Sequence, residues 1–243
     1  MSIWLFIKPK NIKTMKTIFS IIISCLLISN TFAQRIVEET IPLSNSQEVK
    51  LEFDFAEDIK VNTWDKNEVY VKATVNINGG EDNDKFQFNT KKGSGFVSIE
   101  SEIKDLDKLY GNCTTIIIED GDTTIINGNH TKMDLLFEVF LPPKTELLLS
   151  TINGDIELKG LTGPLDISTI NGEIDLHIPS SHKANIEMST INGTMYTNFD
   201  LDLTNRKTNL CKVGGDVNTK LNGGGVSIDL ETINGVIFLR EAN

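Results

Sequence analysis

Carboxylates are the one versatile chemical group this 243-residue chain has in quantity: 34 Asp and Glu stand against 23 Lys and Arg, three His and three Cys. Two carboxylates with separated pKa values facing one cleft carry glycoside hydrolysis, and clustered oxygens hold Ca²⁺. Asp155 and Glu173 each follow an Asn-Gly pair at the same offset, 18 residues apart, so stacked strands would set them one above the other. Thr194 and Val236 take the equivalent places in two further copies, so the column stops there and reads as solvated charge. Glu119-Asp-Gly-Asp122, followed by Thr123-Thr124, offers oxygen ligands without the ordered 12-residue loop of an EF-hand. It reads as a polar loop.

Other chemistries find less. His130, His177 and His182 have no Ser-x-Gly elbow or Cys partner near them, and Ser180-Ser-His182 after Pro179 reads as a turn. Gly223-Gly-Gly225 follows Asn222 without the Lys and helix of a phosphate loop. No Lys, Arg or His lies close in sequence to Cys113, so a catalytic thiolate has no support there. No catalytic, cofactor-binding or metal-ligating residue is assigned, and the chain reads as a non-enzyme.

The net charge is −11. The first 33 residues hold four Lys and no acid, which leaves 19 basic against 34 acidic residues, or −15, on the remaining 210. So anionic a surface repels phosphate backbones and anionic headgroups, which counts against nucleic acid and membrane surfaces as partners. Those first residues have the order of a signal peptide: Lys16, an apolar run from Ile18 to Ile28, and small or polar residues to Ala33, with cleavage expected before Gln34. The run of 11 residues is short of the roughly 20 that a spanning helix needs. A start at Met15 gives a leader of more usual length. Ile22-Ile-Ser-Cys25 has the look of a lipobox, yet the apolar run continues through Ile28, so Cys25 reads as part of the leader. Export leaves Cys113 and Cys211 in a compartment that permits one disulfide; two separate thiols remain the other reading.

The elements that must position any site are set by a repeat. Thr-Ile-Asn-Gly occurs at 151–154, 169–172, 190–193 and 232–235, with Gly-to-Gly steps of 18, 21 and 42 residues. A degenerate copy, Val213-Gly-Gly-Asp-Val217, divides the last step, giving five units of about 21 residues. Alternating β-branched and apolar residues flank each copy, and Asn-Gly tolerates a sharp bend between short extended segments. Asn-Gly also marks hairpins, which would build a sandwich. A hairpin, however, does not require the same Thr and Ile beside it four times, whereas stacked rungs reward like on like. The fold predicted is all-β, a β-helix-like solenoid with rungs of about 21 residues, clearest over 147–241, with a β-sandwich as the alternative and 34–243 as one domain.

In that arrangement Leu149, Ile156, Leu158, Leu165, Ile167, Ile174, Leu176, Ile186, Met188, Met195, Val226, Ile228, Ile237 and Leu239 line the core. Asp155, Glu157, Asp166, Glu173, Asp175 and Glu187 point outward. Alternation from Leu149 puts Thr151 inside and Ile152 outside. A register reset at the corner would reverse that, and the Ile is expected to be the buried one. Strands are also predicted at 49–55, 59–61, 69–75, 96–100 and 135–141, the last stopped by Pro142-Pro143.

The units STINGDIEL, STINGEIDL and STINGTMY, the stretch Asn222–Gly235 and the early Thr63-Trp-Asp-Lys-Asn-Glu-Val69 resemble a bacterial β-strand-repeat family of unknown function called "putative adhesin", related to head-domain autotransporter adhesins. The resemblance covers roughly 40–241 and is specific in the repeats. It implies an exported β-helix-like envelope protein, in the periplasm, on the outer membrane or outside the cell, without catalytic residues. Its expected partner is a cell-surface protein or glycan met through extended β-faces, with no membrane insertion after leader cleavage. End-to-end pairing of two copies is a further expectation, because Ile237–Asn243 carries no evident cap. The competing reading is a β-helix polysaccharide lyase or hydrolase, against which the acidic surface and sparse basic residues count.

Overall fold

Side chains on either side of each repeat alternate apolar and polar, and each such run forms a strand. The computed structural model describes residues 34–44, 47–109, 112–119, 122–129, 131–201 and 214–242, with the backbone alone over 112–129. In chain order the strands are β1 (Arg35–Pro42), β2 (Glu48–Glu52), β3 (Phe55–Thr63), β4 (Glu68–Ile77), β5 (Phe86–Lys92), β6 (Phe96–Ile103), β7 (Asn112–Glu119), β8 (Asp122–Asn129), β9 (Met133–Leu141), β10 (Glu146–Lys159), β11 (Leu165–Asn171), β12 (Ile174–Ile178), β13 (Ala184–Thr197), β14 (Gly215–Leu221) and β15 (Val226–Glu241). The described residues form no α-helix, and the fold is all-β.

The repeats stack in parallel and in register. Leu149 faces Leu51 on one side and Ile167 on the other, Ile167 faces Leu230, and Leu230 faces Met188. After the corner, Ile156 lies between Ile59 and Ile174, and Ile174 meets Ile237. Each rung thus supplies one segment before its corner and one after it, and both turn their aliphatic side chains into one continuous core. A fully buried Leu or Ile contributes about 1.5–3 kcal/mol, which makes these columns the main source of stability. Twelve of the fourteen expected core residues are fully buried, and Met195 and Val226 pack against them partly exposed. Toward the N-terminus the aliphatic columns give way to rings: Phe53 stacks on Phe137 at 4.2 Å between centroids, with Phe86 and Phe88 beside them.

The winding departs from that of a simple solenoid. The lateral order is β2 with β3, then β10, then β11 with β12, then β15, then β13. The last repeat therefore inserts between the second and third, pairing with both. The degenerate copy is no rung: Gly215–Leu221 runs antiparallel to β13 at the edge of the stack, and Val213 lies outside the described residues. At the other end β2 continues into parallel β6 and antiparallel β5, while β3 continues into parallel β9 and antiparallel β4 and β1. Strands β7 and β8 pair with each other as a separate antiparallel ribbon. Stacking of like on like is satisfied by any rung order that keeps register, so the repeat does not dictate which copy sits beside which.

The corner also corrects two expectations. The Thr is the inward residue and the Ile the outward one: Thr151, Thr169, Thr190 and Thr232 are buried, while Ile152, Ile170 and Ile191 are 37%, 39% and 59% exposed. Inward Thr is favoured because its hydroxyl serves a backbone carbonyl that Ile would leave bare. Thr232 donates to the Gly172 carbonyl at 3.2 Å, Thr169 to that of Gly154 at 3.4 Å, and Thr151 to that of Phe53 at 2.6 Å. Nor is Asn-Gly a turn here, since β10, β13 and β15 run straight through it. Of the four repeat glycines only Gly154 has a positive φ, at 130°. The others are required by close approach: a Cβ on Gly172 would stand 2.1 Å from the Gly154 carbonyl oxygen, and one on Gly235 1.8 Å from that of Gly172.

Two substitutions check this account by urea unfolding. Thr232→Val keeps the shape but strands a buried carbonyl, and is expected to cost about 1–3 kcal/mol, with Thr232→Ser retaining most of the stability. Gly235→Ala, which forces the rungs apart, is expected to cost more than Thr232→Val; equal stability to the parent would contradict the close packing of the corner.

Candidate binding surfaces

Of the residues singled out by type, Asp155 and Glu173 do come together. The Glu173 backbone N–H donates to the Asp155 carboxylate at 2.8 Å, and Asp58 pairs with Asp155 from the other side. Burial first, and then the charges of Asp155 and Asp175, raise the Glu173 carboxyl above the usual carboxylate range. Thr194 and Val236 face each other one step further on, as the repeat spacing implies. His177 Nε2 stands 3.2 Å from Asp175, whose carboxylate also accepts from Arg240 at 2.8 Å. Burial lowers the pKa of His182, whose Nε2 is buried without a hydrogen-bond partner. Among the described residues no three His, Cys, Asp or Glu are grouped to hold a metal ion. The side chains of Glu119–Asp122, Cys113 and His130, together with Cys211 and Cys25, lie outside the described residues.

Because rungs keep register, outward residues form columns across strands. Before the corner, Asp166 faces Asp229, and Asp229 faces Glu187. Burial leads in raising the Asp229 carboxyl, with Glu187, Asp166 and Glu231 adding their repulsion. These three acids all stand three residues before a repeat Thr. Reading the sequence column by column would have found them. Next to the acids runs a column of Ser150, Ser168 and Ser189 with Glu231 among them, then the outward Ile column, then the Asn column, in which Asn192 donates to Asn234, Asn234 to Asn171 and Asn171 to Asn153 at 2.9, 2.9 and 3.1 Å.

After the corner the outer face is a lattice of paired charge. Glu38, Lys72, Glu138, Lys60, Glu157 and Asp175 follow one another across β1, β4, β9, β3, β10 and β12. Lys72 pairs with Glu138 at 3.2 Å, Lys60 with Asp58 at 2.7 Å, and Lys159 with Glu157. Such exposed pairs organise the surface more than they stabilise it.

A different kind of place opens where strand ends meet their loops. Trp64, just after β3, lines a pocket of about 500 Å³ with Pro142, Pro143 and Pro164, and with Asp65, Asn67, Lys144 and Glu146 around it. Three contacts fix the indole: Nε1–H donates to the Glu68 carbonyl at 2.9 Å, and the ring packs beside Phe140 and Tyr70 at 5.6 and 6.0 Å. Lys66 Nζ stands 4.3 Å from the ring centroid. Tyr70 in turn donates to Glu38 at 2.7 Å, which pushes its pKa up to about 12. The sequence reading used Trp64 only as a mark of resemblance. Its spacing from Pro142-Pro143 gives no sign that the two meet.

Comparison with solved structures places the architecture. The fold is shared with a bacterial protein titled a "putative cell adhesion protein", from Clostridium sporogenes. That structure aligns with a TM-score of 0.50 at 12% identity, over 86% of this chain and all of the other. Two further structures cover similar shares of this chain: a "putative adhesin" from Bacteroides fragilis (9% identity, 86% of this chain and 98% of the other) and a "putative lipid binding protein" from Parabacteroides distasonis (10%, 84% and 97%). Their TM-scores are 0.24 and 0.26. No family model matches the sequence, and no curated protein does. At 12% identity the Clostridium sporogenes structure shows a likeness of fold.

The acidic column predicts a stability change. A folded pKa raised above the unfolded value means that ionised Asp229 costs stability at neutral pH and that protonation relieves it. Asp229→Asn is therefore expected to stabilise the protein at pH 7 by about 0.2–1 kcal/mol, with the gain shrinking as pH falls toward 4. Urea unfolding at the two pH values reads it. His182 works with the opposite sense: its lowered pKa favours the neutral ring, so stability is full above about pH 6.5 and declines as pH drops below it. Melting temperatures of His182→Gln are expected to fall less than those of the parent between pH 7 and 5.

Proposed function

We propose that this chain is an exported, non-enzymatic protein of the cell envelope that binds a cell-surface protein or glycan through its ordered outer β-faces. The observation that carries the reading is the register of the rungs. It spreads isoleucine and asparagine columns across β10, β11, β15 and β13, and an acidic column across β11, β15 and β13, as one patterned surface, which suits contact with an extended partner. A leader ending at Ala33, with cleavage before Gln34, supports export, and we take Gln34–Asn243 as a single domain whose stacked rungs form a β-helix-like coil. No helix among the described residues is long and apolar enough to cross a membrane. The shared fold with a protein titled for cell adhesion adds support by analogy of architecture only.

The polysaccharide lyase or hydrolase reading finds acids in two pockets before the corner, Glu52, Glu100 and Asp166 with Lys50 in one and Glu48, Glu146, Asp166 and Asp229 in the other, and less on the face after it. The carboxylates and bases of the second face, including Asp58, Lys60, Asp175 and Arg240, are paired with one another on an open sheet. None of these four lines a described pocket. A panel of glycans and cell-surface proteins, probed with the purified chain while product release is followed on the same polysaccharides, separates the readings. Saturable binding without product is the expected result; turnover would overturn the non-enzyme assignment.

A further inference from the structure

We propose that the Trp64 pocket is a binding site for a neutral sugar unit, the place where a glycan chain end is held. The inference deepens the adhesin-like reading by naming a ligand class, and it rests on that reading only for the source of the sugar. The pocket has the two components that sugar recognition needs. Trp64, Pro142 and Pro143 offer apolar surface to the C–H face of a pyranose, and Asp65, Asn67 and Glu146 offer carboxylate and amide groups to its hydroxyls. Trp64 is held before any ligand arrives, by its bond to Glu68 and by Phe140 and Tyr70, so little ordering cost falls on binding.

Size and charge narrow the ligand. About 500 Å³ is room for one or two sugar rings. The carboxylates of Asp65 and Glu146 are balanced by the ammonium groups of Lys144 and of Lys66 beside the indole, so the site suits a neutral ligand, and the net negative chain disfavours uronic and other acidic sugars. A proline-rich peptide would also use Trp and Pro surface, but it needs an open groove lined with aromatic rings, whereas this pocket has one ring and polar groups on several sides.

Trp64 also supplies the readout, because the sequence has two tryptophans and the other, Trp4, lies in the leader. Intrinsic fluorescence of the mature chain, residues 34–243, would be titrated with glucose, galactose, mannose, N-acetylglucosamine and their disaccharides, with glucuronate and a proline-rich peptide as comparison ligands. The expected result is a saturable change with at least one neutral sugar and none with glucuronate. Calorimetric affinity should then fall by about tenfold or more in Trp64→Ala. Asp65→Asn and Asn67→Ala, exposed residues whose loss leaves the core intact, guard against a folding defect and are expected to weaken the same sugar.

Absence of any sugar response in the folded parent would overturn the proposal. So would binding unchanged in all three variants, or a response to the peptide alone. If these pocket variants lose sugar binding in solution but the chain still binds cells, the site stands and the broad faces carry adhesion. If the parent binds glycan panels and the variants bind equally well, the site falls and the adhesin-like reading stands.

Discussion

At each corner of this protein one rung lies so near the next that the space between them admits a hydrogen and no more. The Gly172 and Gly235 positions face neighbouring carbonyl oxygens at distances where a Cβ cannot exist, and the Thr that precedes each by three residues turns inward to give a hydroxyl to carbonyls of the corner. The two demands act together. Glycine lets the backbones approach, and threonine satisfies a polar group that the approach buries, which otherwise costs about 1–3 kcal/mol. Ile and Asn follow from the same geometry, since alternation then directs Ile outward and leaves Asn at the bend, where its amide bonds the amide above and below.

Once the corners are locked, registers before and after them are no longer independent. The aliphatic columns on both sides meet in one core, and outward residues fall into columns whose chemistry the repeat copies from rung to rung. This explains why the outer faces are regular: rows of like charge, like amide and like hydrocarbon follow one another across the strands. The acidic column Asp166, Asp229 and Glu187 is tolerated because its members stay largely in water, and the chain accepts the remaining repulsion in return for an anionic surface.

Irregular chemistry is confined to places where periodicity ends. Loops after β3 and β9 carry Trp64 and Pro142-Pro143, residues with no counterpart in the repeats, and their convergence makes a pocket of about 500 Å³. Burial without a partner at Thr190 Oγ1 belongs to the same class of departure. Its rung is bordered by antiparallel β14 in place of another parallel copy.

Much of the architecture was legible before the fold was known. The Thr-Ile-Asn-Gly spacing announced segments stacked in register, alternation named twelve of its fourteen expected core residues from Leu149 to Leu239, and the offset of Asp155 and Glu173 foretold their contact. All three are local or nearest-neighbour consequences of side-chain period and steric fit, which a sequence carries in full. Lateral order was not legible. Four copies with the same corner can stack in several orders at nearly equal energy, and only the tertiary structure put β15 between β11 and β13 and turned the fifth copy into an antiparallel edge. The inward Thr and outward Ile were likewise decided there, because burying a hydroxyl is favourable only beside a carbonyl that needs it, and that carbonyl comes from another rung. The Trp64 pocket required the same knowledge, since residues 78 positions apart in the chain meet only after the strands between them have folded.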